Sequence, residues 1–213
     1  MTPHAPYCPA QMVPAYDDLH RMAQVLLAQN MDAGTVLVLG AGGGNEMAAL
    51  AAARPDWRFI GVDPSQGMLD LARSKCAGFA DRITYVQGKI EDAPMGPFDG
   101  AVCLLTLHFL PSEERLATLQ ALRARLKVGS ALVVAHHCIP AGEAGLWLPL
   151  FADFAANNGV AGPGLANGAQ ALGRALPILT PDQDMALMRR AGFGNVAQFY
   201  HAFTFRGFVG VAQ

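Results

Sequence analysis

"VLVLGAGGGNE", residues 36–46, is an unbroken apolar run that gives way to glycines and ends on an acid. A β-prone run without polar alternation reads as a strand covered on both faces, as in a parallel sheet. Thr35 to Leu39 is therefore the first strand, and Gly40, Gly42 and Gly44 follow where loops and helix N-termini offer free N–H donors to a ligand. Glycines there let the backbone turn sharply and approach a ligand without an intervening Cβ. An ordinary tight strand-to-helix turn would read the same way. Spacing narrows the choice. A dinucleotide fingerprint needs its third glycine at position 45, which is Asn45, and no G-K-[ST] phosphate loop follows.

Outward from the loop, strands and helices alternate. Residues 12 to 30 carry Val13, Tyr16, Leu19, Met22, Val25 and Leu26 at helical spacing and predict an N-terminal amphipathic helix. After the loop come a helix through Met47 to Ala53, a strand from Trp57 to Val62 ending at Asp63, and a helix from Ser65 to about Cys76. Ile83 to Val86, Gly100 to Leu105 and Ala131 to Ala135 read as further strands. Ser112 is placed to cap a helix that runs to about Leu126 and stops at Gly129. Thr180-Pro181-Asp182-Gln183 is a capping box with proline in the first turn, and Gly192 ends that helix. Val196 to Phe203 and Phe205 to Val211 close the chain as two strands with no helix between them. The pattern predicts an α/β fold with a mostly parallel seven-stranded sheet, helices on both faces, and an antiparallel terminal hairpin at one edge. Residues 1 to 213 read as a single domain, with 140 to 178 as an insertion.

Composition bounds the function. The chain is 52% hydrophobic, 15% charged and carries a net charge of -2, so no nucleic-acid partner is indicated. No apolar stretch approaches a membrane span and no signal peptide is visible, which predicts a cytoplasmic protein. Its low charge leaves apolar surface that could serve a homodimer. Cys8, Cys76, Cys103 and Cys138 are scattered without a CxxC pair and read as free thiols in a reducing compartment.

Asp63, about 20 residues past the glycines at the end of the second strand, can accept both hydroxyls of a ribose. With "IGVDPSQGMLDLAR", "FDGAVCLLTLHFLPSEERLATLQALRARLKVGSALVV" and "LMRRAGFGNV" before a last hairpin, the chain resembles the class I S-adenosylmethionine-dependent methyltransferases over residues 12 to 213. Within that class, "PAYDDLHRM", "LTLHFLPSEER" and "ILTPDQDMALMRRAGF" are similar to the carboxy-S-adenosylmethionine synthase branch. There Gln170 and Ala171 stand where that branch has a Lys-Arg pair, and Arg174 is offset. Plain S-adenosylmethionine is the ligand favoured by that departure.

The resemblance implies a Rossmann-like methyltransferase fold, S-adenosylmethionine as cofactor and in-line methyl transfer to a small-molecule acceptor. It places Gly40, Ala41, Gly42 and Gly44 under the methionine moiety and Asp63 on the ribose. Pro64 and Met68 would border ribose and adenine, Lys89 and Ile90 the adenine amino group, Leu105 and Thr106 the methyl group, and Tyr16 also joins the site. The family usually carries an acid at the position of Val38 and Asp at that of Lys89. Asn45 and Glu46 are candidates to replace the first, and Glu91, Asp92 or a backbone carbonyl the second. A carboxy-S-adenosylmethionine synthase-like activity and a non-catalytic cofactor-binding scaffold are the alternative functions.

Three further features have weaker meaning. His108, just past the fourth strand, is the candidate general base, against a reading as a histidine satisfied by backbone. His136-His137-Cys138 point to alternate faces of a strand, so no metal site is expected. In the insertion, Trp147, Leu150, Phe151 and Phe154 recur at helical spacing and predict a face covering the acceptor site, with "NNGVAGPGLANG" as a lid or connection.

Overall fold

Val36 to Leu39 are buried along the first strand, β1 (Gly34–Leu39), and their side chains alternate between two apolar layers. Val36 and Val38 join Leu19, Met47 and Leu69, whereas Leu37 and Leu39 join Leu119, Leu122 and Leu187. A strand needs apolar residues at every position only when both its faces are covered. The computed structural model describes residues 9–160, 171 and 173–213. Cys8, Gln170 and most of the glycine- and asparagine-rich piece of the insertion lie outside the described residues.

β1 pairs in parallel with β2 (Trp57–Asp63) and β4 (Phe98–Leu104); β2 carries β3 (Ile83–Gln87), and β4 carries β5 (Leu126–His137). The last two strands, β6 (Phe193–Ala202) and β7 (Phe205–Ala212), are antiparallel to each other, and β7 inserts beside β5. The seven-stranded order is β3-β2-β1-β4-β5-β7-β6. Helices α2 (Tyr16–Ala28), α3 (Asn45–Ala53) and α4 (Gln66–Lys75) cover one face; α5 (Ser112–Ala124) and α7 (Pro181–Arg190) cover the other. The expected fold class is the observed one.

Local chemistry explains most boundaries. Ser65 caps α4 by accepting the Met68 N–H at 3.3 Å. The Thr180 hydroxyl accepts from the Gln183 N–H at 3.3 Å, and the Gln183 side chain accepts from the Thr180 N–H at 2.9 Å, completing the capping box of α7. Gly192 follows that helix at φ +95.

Four expectations need correction. The N-terminal helix is two pieces, α1 (Pro9–Met12) and α2, because the chain turns through Ala15 at φ 51 after Pro14. Pro111 is the cap position of α5, so Ser112 is its first helical residue and its hydroxyl does not cap. That helix ends at Ala124, and Gly129 lies inside β5, which begins at Leu126. Cys138 falls one residue beyond β5, in an isolated bridge with Leu179.

Between β5 and α7 the insertion supplies α6 (Ala144–Asn157), with Leu148, Phe151, Ala152 and Ala155 buried. Phe151 packs edge-on against His137 and Phe205, at ring-centre distances of 5.3 and 5.7 Å. Trp147 meets His201 at 5.3 Å, while Leu150 is exposed. Among the described residues no helix is long and apolar enough to cross a membrane.

Candidate functional site

A cavity of about 730 Å³ opens at the carboxyl ends of β1, β2 and β4, where the parallel strands release the chain into loops. This is where open α/β sheets place their ligands, and the size suits a nucleoside-sized one. One part of the cavity is formed by Gly40, Gly42 and Gly43, by Asn45 and Glu46 in the first turn of α3, and by Asp63, Pro64 and Met68. Elsewhere the lining is aromatic, with Phe109, His108, His137 and Phe205 in successive ring contact, while Tyr16 stands beside Asn45.

Gly40 sits at φ +75, and a Cβ there would fall 1.9 Å from the Thr106 hydroxyl, so only glycine fits. Its N–H donates to the Val62 carbonyl at 2.8 Å, tying the loop to the end of β2. Gly44, at φ +80, packs against Ala72 and so sets the approach of α3 to α4. Asp63 is held from both sides: its Oδ2 accepts the Gly42 N–H at 2.9 Å and its Oδ1 the Ser65 N–H at 2.9 Å. Each carboxylate oxygen keeps a second lone pair for a hydroxyl donor. A glycine cradle beside a fixed acceptor fits the adenosine and methionine parts of the cofactor implied by the sequence.

Two lining residues carry unusual backbone or charge. Leu105 adopts φ 56, a left-handed conformation that strains a branched side chain, and its N–H donates to the Ala135 carbonyl at 2.6 Å. Glu46, in the first turn of α3, is only 7% exposed. Burial, reinforced by Asp63 and opposed by its own backbone N–H and by Lys75, pushes its carboxyl up to about 8. Lys75 Nζ bonds the Asn45 side-chain oxygen, and Asn45 Nδ2 donates to the Tyr16 hydroxyl at 3.1 Å, linking α4, α3 and α2 along one rim.

In the aromatic part, His108 Nδ1 accepts the backbone N–H of His137 at 3.2 Å. A neutral imidazole accepting at Nδ1 carries its proton on Nε2. Burial first, then the neighbouring His137 and His136, lowers its pKa to about 2, so the ring stays neutral. His137 Nδ1 lies 2.8 Å from the Thr204 hydroxyl, its ring stacks on Phe205, and burial together with His136 lowers its pKa to about 3. His136, the next residue on β5, points to the opposite layer and pairs with Asp184 at 3.0 Å. No group of His, Cys, Asp or Glu able to hold a metal occurs among the described residues.

Of the residues singled out from sequence, Tyr16, Gly40, Gly42, Asp63, Pro64, Met68, Leu105, Thr106 and His108 line this cavity. Ala41 is buried beneath it, and Gly44 shapes the helix packing instead. Lys89 and Ile90 are not brought to it. Lys89 is exposed with its backbone N–H donating to Asp92 Oδ2 at 2.9 Å, and Ile90 is buried in the layer below. Leu71, Lys75, His137 and Phe205 line the cavity without having been singled out for it. Leu71 and Lys75 continue the helical stripe of Met68 at i+3 and i+7, a signal that was present in the sequence. His137 and Phe205 meet only because they are register partners in β5 and β7, which no local pattern reveals. The described residues of α6 back His137 and Phe205 rather than lining the cavity themselves.

Comparison with known proteins agrees with this arrangement. A methyltransferase-domain family model matches residues 36–129. The carboxy-S-adenosyl-L-methionine synthase of Chromohalobacter salexigens is 30% identical over 206 residues, covering 92% of this chain and 76% of that protein. The protein of the same name from Campylobacter lari is 20% identical over 214 residues, covering 94% and 92%. Among solved structures, an O-methyltransferase family protein from Burkholderia thailandensis superposes with a TM-score of 0.65 at 18% identity over 93% of this chain. The chain spans 59% of the length of that structure, and the likeness there is one of fold. With the glycine loop, Asp63 and this sheet order in place, the chain belongs to the class I S-adenosylmethionine-dependent methyltransferases and takes S-adenosylmethionine as its cofactor.

Proposed function

We propose that the protein transfers the cofactor's methyl group to a small, mostly uncharged acceptor bound at the aromatic part of the cavity. The observation that carries this reading is the continuity of one cavity from the glycine cradle and Asp63 to Tyr16, His108, His137 and Phe205. The bound cofactor would supply an electrophilic sulfonium methyl, and the protein's part is to position the nucleophile in line and exclude water. Gly40 and Gly42 let the backbone lie against the methionine part, and Asp63 accepts from the ribose. Pro64, Met68 and Leu71 flank the base. Leu105 and Thr106, just past the end of β4, also line the cavity and would face the methyl group. His108 is suited to donate from Nε2 to an acceptor oxygen or nitrogen rather than to remove its proton. The insertion acts on the acceptor through Phe151, which buttresses His137 and Phe205. The buried free thiols Cys76, Cys103 and Cys138 support a reducing, cytoplasmic setting.

A second reading, formation or use of a carboxylated cofactor, is favoured by the 30% identical synthase. Titration of the purified protein with S-adenosylmethionine, S-adenosylhomocysteine, the carboxylated cofactor and NADH separates these. Binding of the first two, with turnover in an acceptor library, is expected. Preference for the carboxylated form moves the assignment to the second reading, and binding of neither S-adenosyl compound rejects both. Asp63→Ala removes a charged acceptor of two hydroxyls, so about a hundredfold loss of S-adenosylhomocysteine affinity is expected.

A further inference from the structure

We propose that Glu46 holds the α-ammonium of the cofactor's methionine moiety from the first turn of α3, taking over the task of an acid that β1 lacks. This rests on the assignment of the cavity to S-adenosylmethionine. Val38, where related enzymes carry the acid, is fully buried in the apolar layer with Leu19 and Met47 and presents nothing to a ligand. Glu46 stands eight residues further on, past the glycines, and lines the same cavity as Gly40, Gly42 and Asp63.

The fold itself gives this carboxyl little reason to be an acid. It is 93% withdrawn from solvent as a residue, yet among the described residues it enters no ion pair. The groups facing it are Asp63 from β2, Lys75 and the Cys76 thiol from α4, and the Cys103 thiol from β4. Lys75 spends its ammonium on Asn45. A glutamine or leucine would pack there without the penalty that a buried carboxylate carries. A cationic ligand removes that penalty. Of the two cationic centres on the cofactor, the sulfonium has no hydrogen to donate, whereas the ammonium has three and suits a carboxylate.

The same geometry fixes a proton balance. In the free protein the carboxyl, raised to about 8, is mostly protonated at pH 7. Pairing with an ammonium lowers its pKa, so binding releases a proton to solvent. Affinity is then full above the free value and falls as pH drops through the lower, bound value.

The test uses the whole protein, with Glu46→Gln, an isosteric change that leaves no buried charge and is expected to keep or raise Tm. The probes are S-adenosylmethionine, S-adenosylhomocysteine and methylthioadenosine, which keeps the nucleoside and thioether but has no ammonium. Affinity for the first two is expected to fall about tenfold to a hundredfold, with methylthioadenosine unchanged. Calorimetry in buffers of differing ionisation enthalpy should show close to one proton released by wild type at pH 7 and far less by the variant. Equal losses for all three probes, a loss confined to S-adenosylmethionine, or unchanged proton release would overturn the proposal. Failure of wild type to bind any probe would instead reject the cofactor assignment on which it stands.

Discussion

Replacing Asp184 by asparagine should cost the fold about 3 kcal/mol, and the structure shows where that figure comes from. Asp184 on α7 is 3% exposed, with its carboxylate 2.6 Å from Arg115 Nη1 on α5 and 3.0 Å from His136 Nε2 on β5. Arg115 is wholly buried; its Nη2 donates to the Leu110 and Pro177 carbonyls, while its Nε has no partner among the described residues. Asparagine keeps the shape but leaves a buried guanidinium without its counter-ion. Two hydrogen bonds to a charged group, at about 2 kcal/mol each, are lost, and the amide recovers about 1 kcal/mol of that. With a urea slope of about 2 kcal/mol per M, the unfolding midpoint followed by circular dichroism should fall by about 1.5 M at pH 7.5. The difference should also depend on pH in one direction. Burial alone would raise the Asp184 carboxyl, but His136 and Arg115 outweigh it and hold it below the usual carboxylate range. Its contribution is therefore complete above the unfolded value, near 4, and is lost as pH falls through the lower folded value. A midpoint change worth less than about 1 kcal/mol would show that the pair does not hold α7 to the sheet, and would refute the reasoning.

Gly40→Ala should destabilise the protein by about 3 kcal/mol, from left-handed strain and a Cβ placed against the Thr106 side chain. Thr106→Ala in that background should restore only part of the loss, because the strain stays; complete recovery in thermal melts would show the contact to be everything. For His108, nitrogen chemical shifts should report a neutral ring protonated on Nε2 from pH 8 down to pH 5, since its pKa lies near 2. A titration midpoint near 6 would return the residue to the role of general base.

The half of the site nearest the glycines was legible because it is local. Between Gly40 and Lys75 one strand, one loop and two helix starts follow each other, and each carries its own signal: apolar run, glycine spacing, Asp63 and the Ser65 cap. Lys89 and Ile90, expected on the adenine side, do not line the cavity as it stands. Asp92 folds back onto the Lys89 N–H and closes that turn upon itself. The aromatic half was illegible for the opposite reason, since His137 and Phe205 are neighbours only through β5–β7 register. Gly129 misled because a glycine after a helical stretch is a stop signal, while here it sits at a left-handed position within a strand. Arg125, already past α5, takes over the helix end by donating to the Ala121 carbonyl at 3.1 Å.

His136 and His137 are consecutive on β5, yet one anchors the ion pair beneath the sheet and the other walls the cavity above it. A strand's period of two makes this division possible, and also makes it fragile. Inserting or deleting a single residue upstream in β5 would exchange the two side chains between faces. The same event would unpair Asp184 and rebuild the cavity wall, so a protein changing its acceptor by shifting this strand would lose its fold at the same step. Change at this wall is thereby channelled into substitution at His137 and Phe205, with the length of β5 held fixed.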